Sequence, residues 1–470
     1  MTKSSWQPIL DHVAGPRYLA LAQVLERDIV AGRLEPGARL PTHRDLAWNL
    51  GVTVGTVSRG YAEALRRGLL TGEVGRGTFV RGDVVSALHP APIHPLPMRG
   101  GNAAGLINMS ANVPPISIQK PMVADMLREL AADERLEDHL IYPPYIGNEP
   151  VRQAAARWLS ETAFPVRPEQ VFITAGCQHA LMVAFHLAAR PGDTVLVERL
   201  TYPGIKSLAH MMQVRLVGVD MDEDGITPDA LDLACRSHQP KLLCIVPTLQ
   251  NPLSSVMSDA RRRAIAEVAD GHGLPILEDG IYNFLDRHRS TPVSAYTQVP
   301  GFFVNSMSKS VSAALRTGFL IASGDLRDHV VRLMGASCLH APNLMAEAAR
   351  RWIDSGSVAR SEAAVREDIA RRQILAREKL TGFKVDAHDH GFHLWMHLPE
   401  PWRPLEFTHA AEERGVAIAP AEAFTIGREP APFAVRISLT GPRDLAELGR
   451  GLDILRDLVD EAQSPARAVV

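Results

Sequence analysis

The chain has 470 residues, too many for one hydrophobic core, so two or three domains are expected. Its 46% apolar and 22% charged content is that of an ordinary soluble globular protein, and a formal charge of -3 excludes a chain that is basic throughout or one with an acidic tail. Four cysteines without CxxC spacing (Cys177, Cys235, Cys244, Cys338), an N-terminus without a signal-like apolar run and no bilayer-length stretch lead to three expectations: no metal site, no membrane and a cytoplasmic location.

In chain order, "YLALAQVLERDIVAGRL" carries apolar residues at helical spacing and ends at Gly32. "PGARLPTHRDLAWNL" predicts a turn and a second helix capped by Thr42. "GVTVGTVSRGYAEALRRG" predicts a turn at Gly51, a cap at Thr53 and a third helix to about Gly68. "LLTGEVGRGTFV" predicts two short strands joined around Gly75-Arg76-Gly77. Ten arginines against six acidic residues make the stretch Arg17–Arg81 basic within an acidic chain. Three helices and a hairpin form the order of a winged helix-turn-helix, whose third helix enters the major groove of double-stranded DNA.

This run resembles the GntR family of DNA-binding domains in "LPTHRDLA", "GVTVGTVSRGY" and "GRGTFV". The resemblance implies that Arg44 meets the DNA backbone or a base edge, that Thr53, Thr56, Ser58 and Arg59 lie on or beside the groove, and that Arg76 and Gly77 form the wing tip. Val54 and Gly55 stand where many relatives carry arginine, serine or threonine, which implies fewer direct base contacts.

Residues 83–104 hold Pro90, Pro92, Pro95 and Pro97 and a glycine-rich end, which predicts a semi-rigid spacer. Residues 1–82 then form the DNA-binding domain and 105–470 a second domain. There apolar runs such as "DTVLVE", "VRLVGVD", "LLCIVP", "PILEDG", "FFVNSM" and "TGFLIAS" alternate with helical segments. The alternation predicts an α/β fold around a mostly parallel sheet, with the ligand beyond the carboxyl ends of the strands.

Chemistry-bearing residues follow those strands. After "FIT", Gly176, Cys177 and Gln178 open a helix whose N-terminus suits a phosphate. "TYPG" offers Tyr202 as a stacking face, "QNP" offers Asn251 as a hydrogen-bond donor, and "PILEDGIYNF" places Asp279 at a strand end with Tyr282 three residues on. A buried carboxylate is costly unless it meets a cation, and a protonated pyridine nitrogen is such a cation. In "VNSMSKSVSAALRTGFL", Lys309 can form a Schiff base with an aldehyde, while Ser306, Ser308 and Arg316 suit a phosphate dianion. A stacking face, an acid, donors for a phenolic oxygen, a lysine and a phosphate cradle together describe pyridoxal 5'-phosphate.

In this order the segments resemble the fold-type I aminotransferases over about residues 105–460. The resemblance implies a seven-stranded, mostly parallel sheet and a small C-terminal subdomain from about 345 to 470. It also implies Lys309 as the cofactor-linked lysine, Asp279 on the ring nitrogen, Tyr202 on the ring face, and Asn251 and Tyr282 on the phenolic oxygen. "YPPYIGNEPVR" would carry Tyr142 to the phosphate of a neighbouring subunit, and Arg436 of "FAVRISL" would grip the α-carboxylate of a ligand. His393 in "GFHLWMHL" is open between pocket and core. "NPLSS" replaces the more usual "NPTG" after Asn251, which would reshape the substrate side.

A GntR-like winged helix joined by a proline-rich linker to an aminotransferase-like domain resembles the MocR-type transcription regulators. That implies a homodimer which responds to an amino compound or to pyridoxal phosphate itself through Lys309. The same residues would serve a transaminase carrying a DNA-binding domain, so the sequence leaves sensing and turnover open.

Overall fold

The computed structural model describes residues 16–30, 38–66, 69–73, 77–80, 105–161, 164–288, 290–427 and 430–463, with Trp6, Pro8 and Leu34. Gly32, Gly68, Gly75, Arg76 and the proline-rich segment lie outside the described residues. The chain divides into two compact units, Met1–Ile93 and His94–Val470.

In the first unit, helices α1 (Arg17–Val30), α2 (His43–Leu50) and α3 (Val54–Arg66) precede strands β1 (Leu70–Glu73) and β2 (Gly77–Val80). The strands are antiparallel, with Leu70 opposite Val80 and Glu73 opposite Gly77. Thr42 caps α2 by accepting the Asp45 N–H at 3.2 Å, and Gly51 closes that helix in the left-handed region, at φ 61. The Thr53 hydroxyl likewise accepts the Thr56 N–H at the start of α3, at 3.2 Å. Leu21, Leu25, Leu46, Val57, Tyr61, Ala64, Leu70 and Val80 fill the core, and the Tyr61 hydroxyl donates to the Pro41 carbonyl at 2.9 Å.

The second unit begins with the short strand β3 (Ile107–Asn108). Its main sheet contains β4 (Val171–Thr174), β5 (Thr194–Glu198) and β6 (Arg215–Val219). After a small hairpin of β7 (Met221–Asp222) and β8 (Gly225–Ile226), the sheet takes up β9 (Leu242–Ile245), β10 (Ile276–Asp279), β11 (Phe302–Ser306) and β12 (Gly318–Ile321). The spatial order is β4-β12-β11-β10-β9-β5-β6, and β12 alone runs antiparallel to its neighbours. All seven strands except the edge strand β6 are buried along their whole length, which explains their continuous apolar runs. Alternate residues still serve different faces. Phe172, Val197, Leu277, Val304 and Leu320 join one apolar cluster. Ile173, Phe303 and Phe319 join a second, while Leu196, Leu243 and Ile276 join a third.

A smaller antiparallel sheet follows, in the order β13-β14-β17-β16, from Val385–Ala387, His393–His397, Ala434–Ser438 and Ala419–Pro420. Its core joins Leu394, Met396, Phe407, Ile437, Leu452 and Leu455 to Ile107 and Met109, far away in sequence. Strand β3 pairs in parallel with β15 (Val416–Ala417), and the Ser438 N–H donates to the Met109 carbonyl at 2.7 Å. The first described segment after the spacer is thereby built into the smaller subdomain. Helix Asn343–Asp354 instead packs Ala346, Ala348 and Trp352 into a cluster of the main sheet.

Candidate functional site

The carboxyl ends of β5, β9, β10 and β11, with the Gly176 turn after β4, bring most of the sequence-predicted residues to one edge of the main sheet. Strand β11 ends at Ser306, whose hydroxyl accepts the Ser308 N–H at 3.3 Å and rounds the chain into a turn. Lys309 follows. Its side chain is half-buried, but the amine end is enclosed and donates to the Asn112 carbonyl at 2.5 Å. Burial, then the Arg436 guanidinium, lower its pKa to about 8 against an opposing pull from Asp279.

Asp279 ends β10, the strand paired with β11, and is buried. Its Oδ1 accepts the Ile281 N–H at 3.1 Å and the Cys177 thiol at 3.5 Å. Burial raises its pKa to about 6 despite those bonds. Tyr282 is buried beside it, accepting from Asn112 Nδ2 at 2.8 Å, and burial pushes its phenol up to about 12. Burial, followed by the Asp279 charge, does the same for Tyr202.

The turn after β4 is built for close approach. Gly176 has φ 87, and a Cβ there would lie 2.5 Å from Arg316 Nη2. It is the N-cap of helix Cys177–Ala188, which has no side-chain cap, so the positive helix end is not met by a capping side chain. Arg316, itself in the left-handed region at φ 47, donates Nη2 to the Ala175 carbonyl at 3.0 Å, beside that helix end. Gln178 donates to the Gly204 carbonyl at 2.9 Å and leaves Oε1 buried. Ser308 is buried next to Lys309.

On the smaller subdomain's side, β17 delivers Arg436, which is 1% exposed. Its Nη1 donates to Asn251 Oδ1 at 2.9 Å, its Nη2 to the Ser110 carbonyl, and its centre lies 5.0 Å from the Phe424 ring. Burial lowers its pKa to about 10. Asn251 thus offers its oxygen to Arg436. The variant turn after it sets Ser254 at φ 61, and Ser254 Oγ donates to the His393 carbonyl at 3.1 Å. His393 is 1% exposed and lies between Asn112 Nδ2, at 2.8 Å from Nδ1, and the Gln250 carbonyl, at 3.3 Å from Nε2. Burial drives its pKa well below the usual value, so the ring is neutral.

Tyr142 stands apart from this assembly. It is 84% exposed, its ring 5.4 Å from that of His340. Asn112, Ser110 and Ser438 were not legible as site residues. Ser110 takes part through its main-chain carbonyl, which no residue type advertises, Asn112 through both its carbonyl and its side-chain amide, and Ser438 Oγ donates to the Ala111 carbonyl at 2.9 Å.

The winged-helix residues form a separate set. Arg44, Thr53 and Arg59 are exposed, Thr56 and Ser58 half-buried, and Ser58 Oγ lies 3.0 Å from His43 Nδ1. Gly77 has φ 121, and a Cβ there would lie 3.1 Å from Nε of Arg39, an exposed cation that no motif marked. Val54 is 45% exposed on the first turn of α3. Among the described residues, no group of three or more His, Cys, Asp or Glu side chains could hold a metal, and no helix is long and apolar enough to cross a membrane.

The large-unit residues fit pyridoxal phosphate. A positive helix end beside an arginine suits its phosphate, and a buried carboxylate without a cation in hydrogen-bond contact suits its ring nitrogen. Gln178 Oε1, Asn112 Oδ1 and Arg436 Nε are buried without a hydrogen-bond partner among the described residues. The family described as aminotransferase class I and II matches residues 104–452, and the gntR family of bacterial regulatory proteins matches 17–80. The uncharacterized HTH-type transcriptional regulator YdeF of Bacillus subtilis (strain 168) is 29% identical over 97% of both chains. The probable rhizopine catabolism regulatory protein MocR of Rhizobium meliloti is 25% identical over 88% of both. An archaeal alanine:glyoxylate aminotransferase shares the fold with a TM-score of 0.71 at 24% identity, over 76% of this chain and 92% of its own.

Proposed function

We propose that this chain, which belongs to the aminotransferase class I and II family and carries a gntR-family winged helix ahead of that domain, is a DNA-binding transcription regulator that senses an amino compound through pyridoxal 5'-phosphate held at Lys309. The observation that carries the reading is the enclosed Lys309 amine, its pKa lowered to about 8, beside the buried Asp279 on the adjoining strand end. When bound, the cofactor supplies an aldehyde that condenses with amines and a ring that withdraws electrons.

The protein's own groups do the rest. Arg316, Ser306, Ser308 and the helix end at Gly176, Cys177 and Gln178 hold the phosphate. Asp279 keeps a proton on the ring nitrogen, Tyr202 covers a ring face, and Asn251 and Tyr282 serve the phenolic oxygen. Arg436 takes a carboxylate on the ligand. Arg44, Thr53, Thr56, Ser58, Arg59 and the wing at Arg76 and Gly77 engage operator DNA, and the protein works in the cytoplasm. Two chains act as a homodimer, with the exposed Tyr142 reaching the partner's phosphate.

The test is an absorbance titration of the cofactor-loaded protein and of Lys309→Ala with a panel of amines. The expected result is a visible lysine-dependent band, absent in the variant and shifted by one class of amine without sustained keto-acid release. Sustained release would make the protein a transaminase first.

A further inference from the structure

Asn112 occupies a position that the proposed sensing chemistry does not use. It lies in the strap after β3, where consecutive carbonyls meet the site's donors: Ser110 accepts from Arg436, Ala111 from Ser438 and Asn112 from Lys309. It therefore belongs to the stretch that spans the two cations, one suited to an amine partner and one to a carboxylate. Asn112 is 7% exposed.

Its carboxamide has one allowed orientation. The Gln250 carbonyl can only accept, so His393 Nε2, 3.3 Å away, carries the ring proton. The neutral ring then leaves Nδ1 as an acceptor, and the group 2.8 Å from it must donate. That group is Asn112 Nδ2, which also donates to the Tyr282 hydroxyl at 2.8 Å. Both N–H bonds are thereby spent. Oδ1 is left as a buried acceptor with no partner among the described residues, and Arg436 Nε as a buried donor in the same condition. A buried acceptor left without a donor costs as much as a lost hydrogen bond, so a ligand that supplies the donor is favoured over one that does not.

We propose that Asn112, its amide oriented by His393, is the specificity-determining residue of this site, and that the ligand is an amino acid bearing a hydroxyl or amide donor close to its α-carbon. The proposal rests on the sensing reading above and narrows its ligand. Arg436 takes the carboxylate, and Asn112 Oδ1 accepts the side-chain donor. His393 is a positioning residue, acting only through the amide it orients.

The experiment uses the full-length, cofactor-loaded protein and matched ligand pairs that differ in the side-chain donor group: serine with alanine, threonine with valine, and asparagine with 2-amino-4-oxopentanoate. Dissociation constants come from the absorbance change, and thermal unfolding verifies that each variant is folded. The wild type is expected to favour the donor-bearing member of at least one pair by about tenfold. Asn112→Ala should bring that ratio close to one, and His393→Phe, which frees the amide to turn over, should shrink or invert it. A merely structural role for either residue would weaken both members of a pair together and leave the ratio unchanged. If the wild type binds amines but shows no preference in any pair, or if Asn112→Ala keeps the preference, the proposal falls and the sensing reading stands. If no amine perturbs the loaded protein, both fall.

Discussion

Lys309 shows how much a single side chain depends on its surroundings. An ammonium in water loses its proton at about 10.4, which leaves few free amines at neutral pH. Burial and the Arg436 charge bring Lys309 down to about 8. The folded chain therefore holds fewer protons on this group than the unfolded chain does between about 8 and the unperturbed 10.5. Below that window the amine is protonated in both states and reacts slowly. In the apoprotein, trapping of pyridoxal phosphate on Lys309 with borohydride, read by peptide mass, should rise with pH to half its maximum at about 8. A midpoint at the value of a solvated lysine would mean that the site does not activate this amine. Arg436→Met removes the second cause of the shift and should move the midpoint upward. Lys309, Asp279 and Arg436 were legible because each is a charged residue next to an apolar run, where a charge needs a reason. Asn112 was not legible, and His393 was open between pocket and core. In the structure His393 is 1% exposed and lies 2.8 Å from Asn112 Nδ2.

Among the elements, the strand-to-helix turn at Gly176 leaves no room for a side chain beside the candidate cradle. Its φ of 87 is one that other residues rarely adopt, and an added Cβ would meet the Arg316 guanidinium. Gly318 packs against the same turn, where a Cβ would lie 2.5 Å from the Gly176 carbonyl carbon. Gly176→Ala should weaken cofactor binding by about tenfold or more, the effect of roughly 1–3 kcal/mol of backbone strain plus a displaced arginine. Equilibrium titration with pyridoxal phosphate measures it, and an unchanged affinity would separate this turn from the cradle. In the winged helix, Arg44 is exposed on α2. Arg44→Ala should weaken binding to all DNA sequences alike. It should also lower the slope of log affinity against log salt by about 0.9, the value for a single phosphate no longer neutralised. A loss confined to one operator would assign Arg44 to a base edge instead. The elements themselves were largely legible, since helix caps and buried strands leave local marks. The reversed direction of β12 left none, because its neighbours β11 and β4 are set by tertiary packing. The two residues of β3 are too few to show a period, which hid their pairing with β15.

For the whole molecule, the proposed coupling between amine and DNA carries a strict thermodynamic consequence. If an amine changes operator affinity by some factor, operator DNA must change amine affinity by the same factor, commonly about 5- to 150-fold. Labelled operator followed by fluorescence anisotropy, with and without saturating amine, gives the first factor. The amine's absorbance titration, with and without operator, gives the second. Equal factors well away from one are the expected result and describe a sensor at equilibrium. Factors of one in both directions, with the amine still binding, would leave the two units energetically independent. The aminotransferase-like domain would then need an explanation other than regulation. Unequal factors would have a different meaning, because reciprocity fails only when a ligand is consumed during the measurement. In this protein that would expose turnover at Lys309, and keto-acid release measured in the same solutions would account for the inequality.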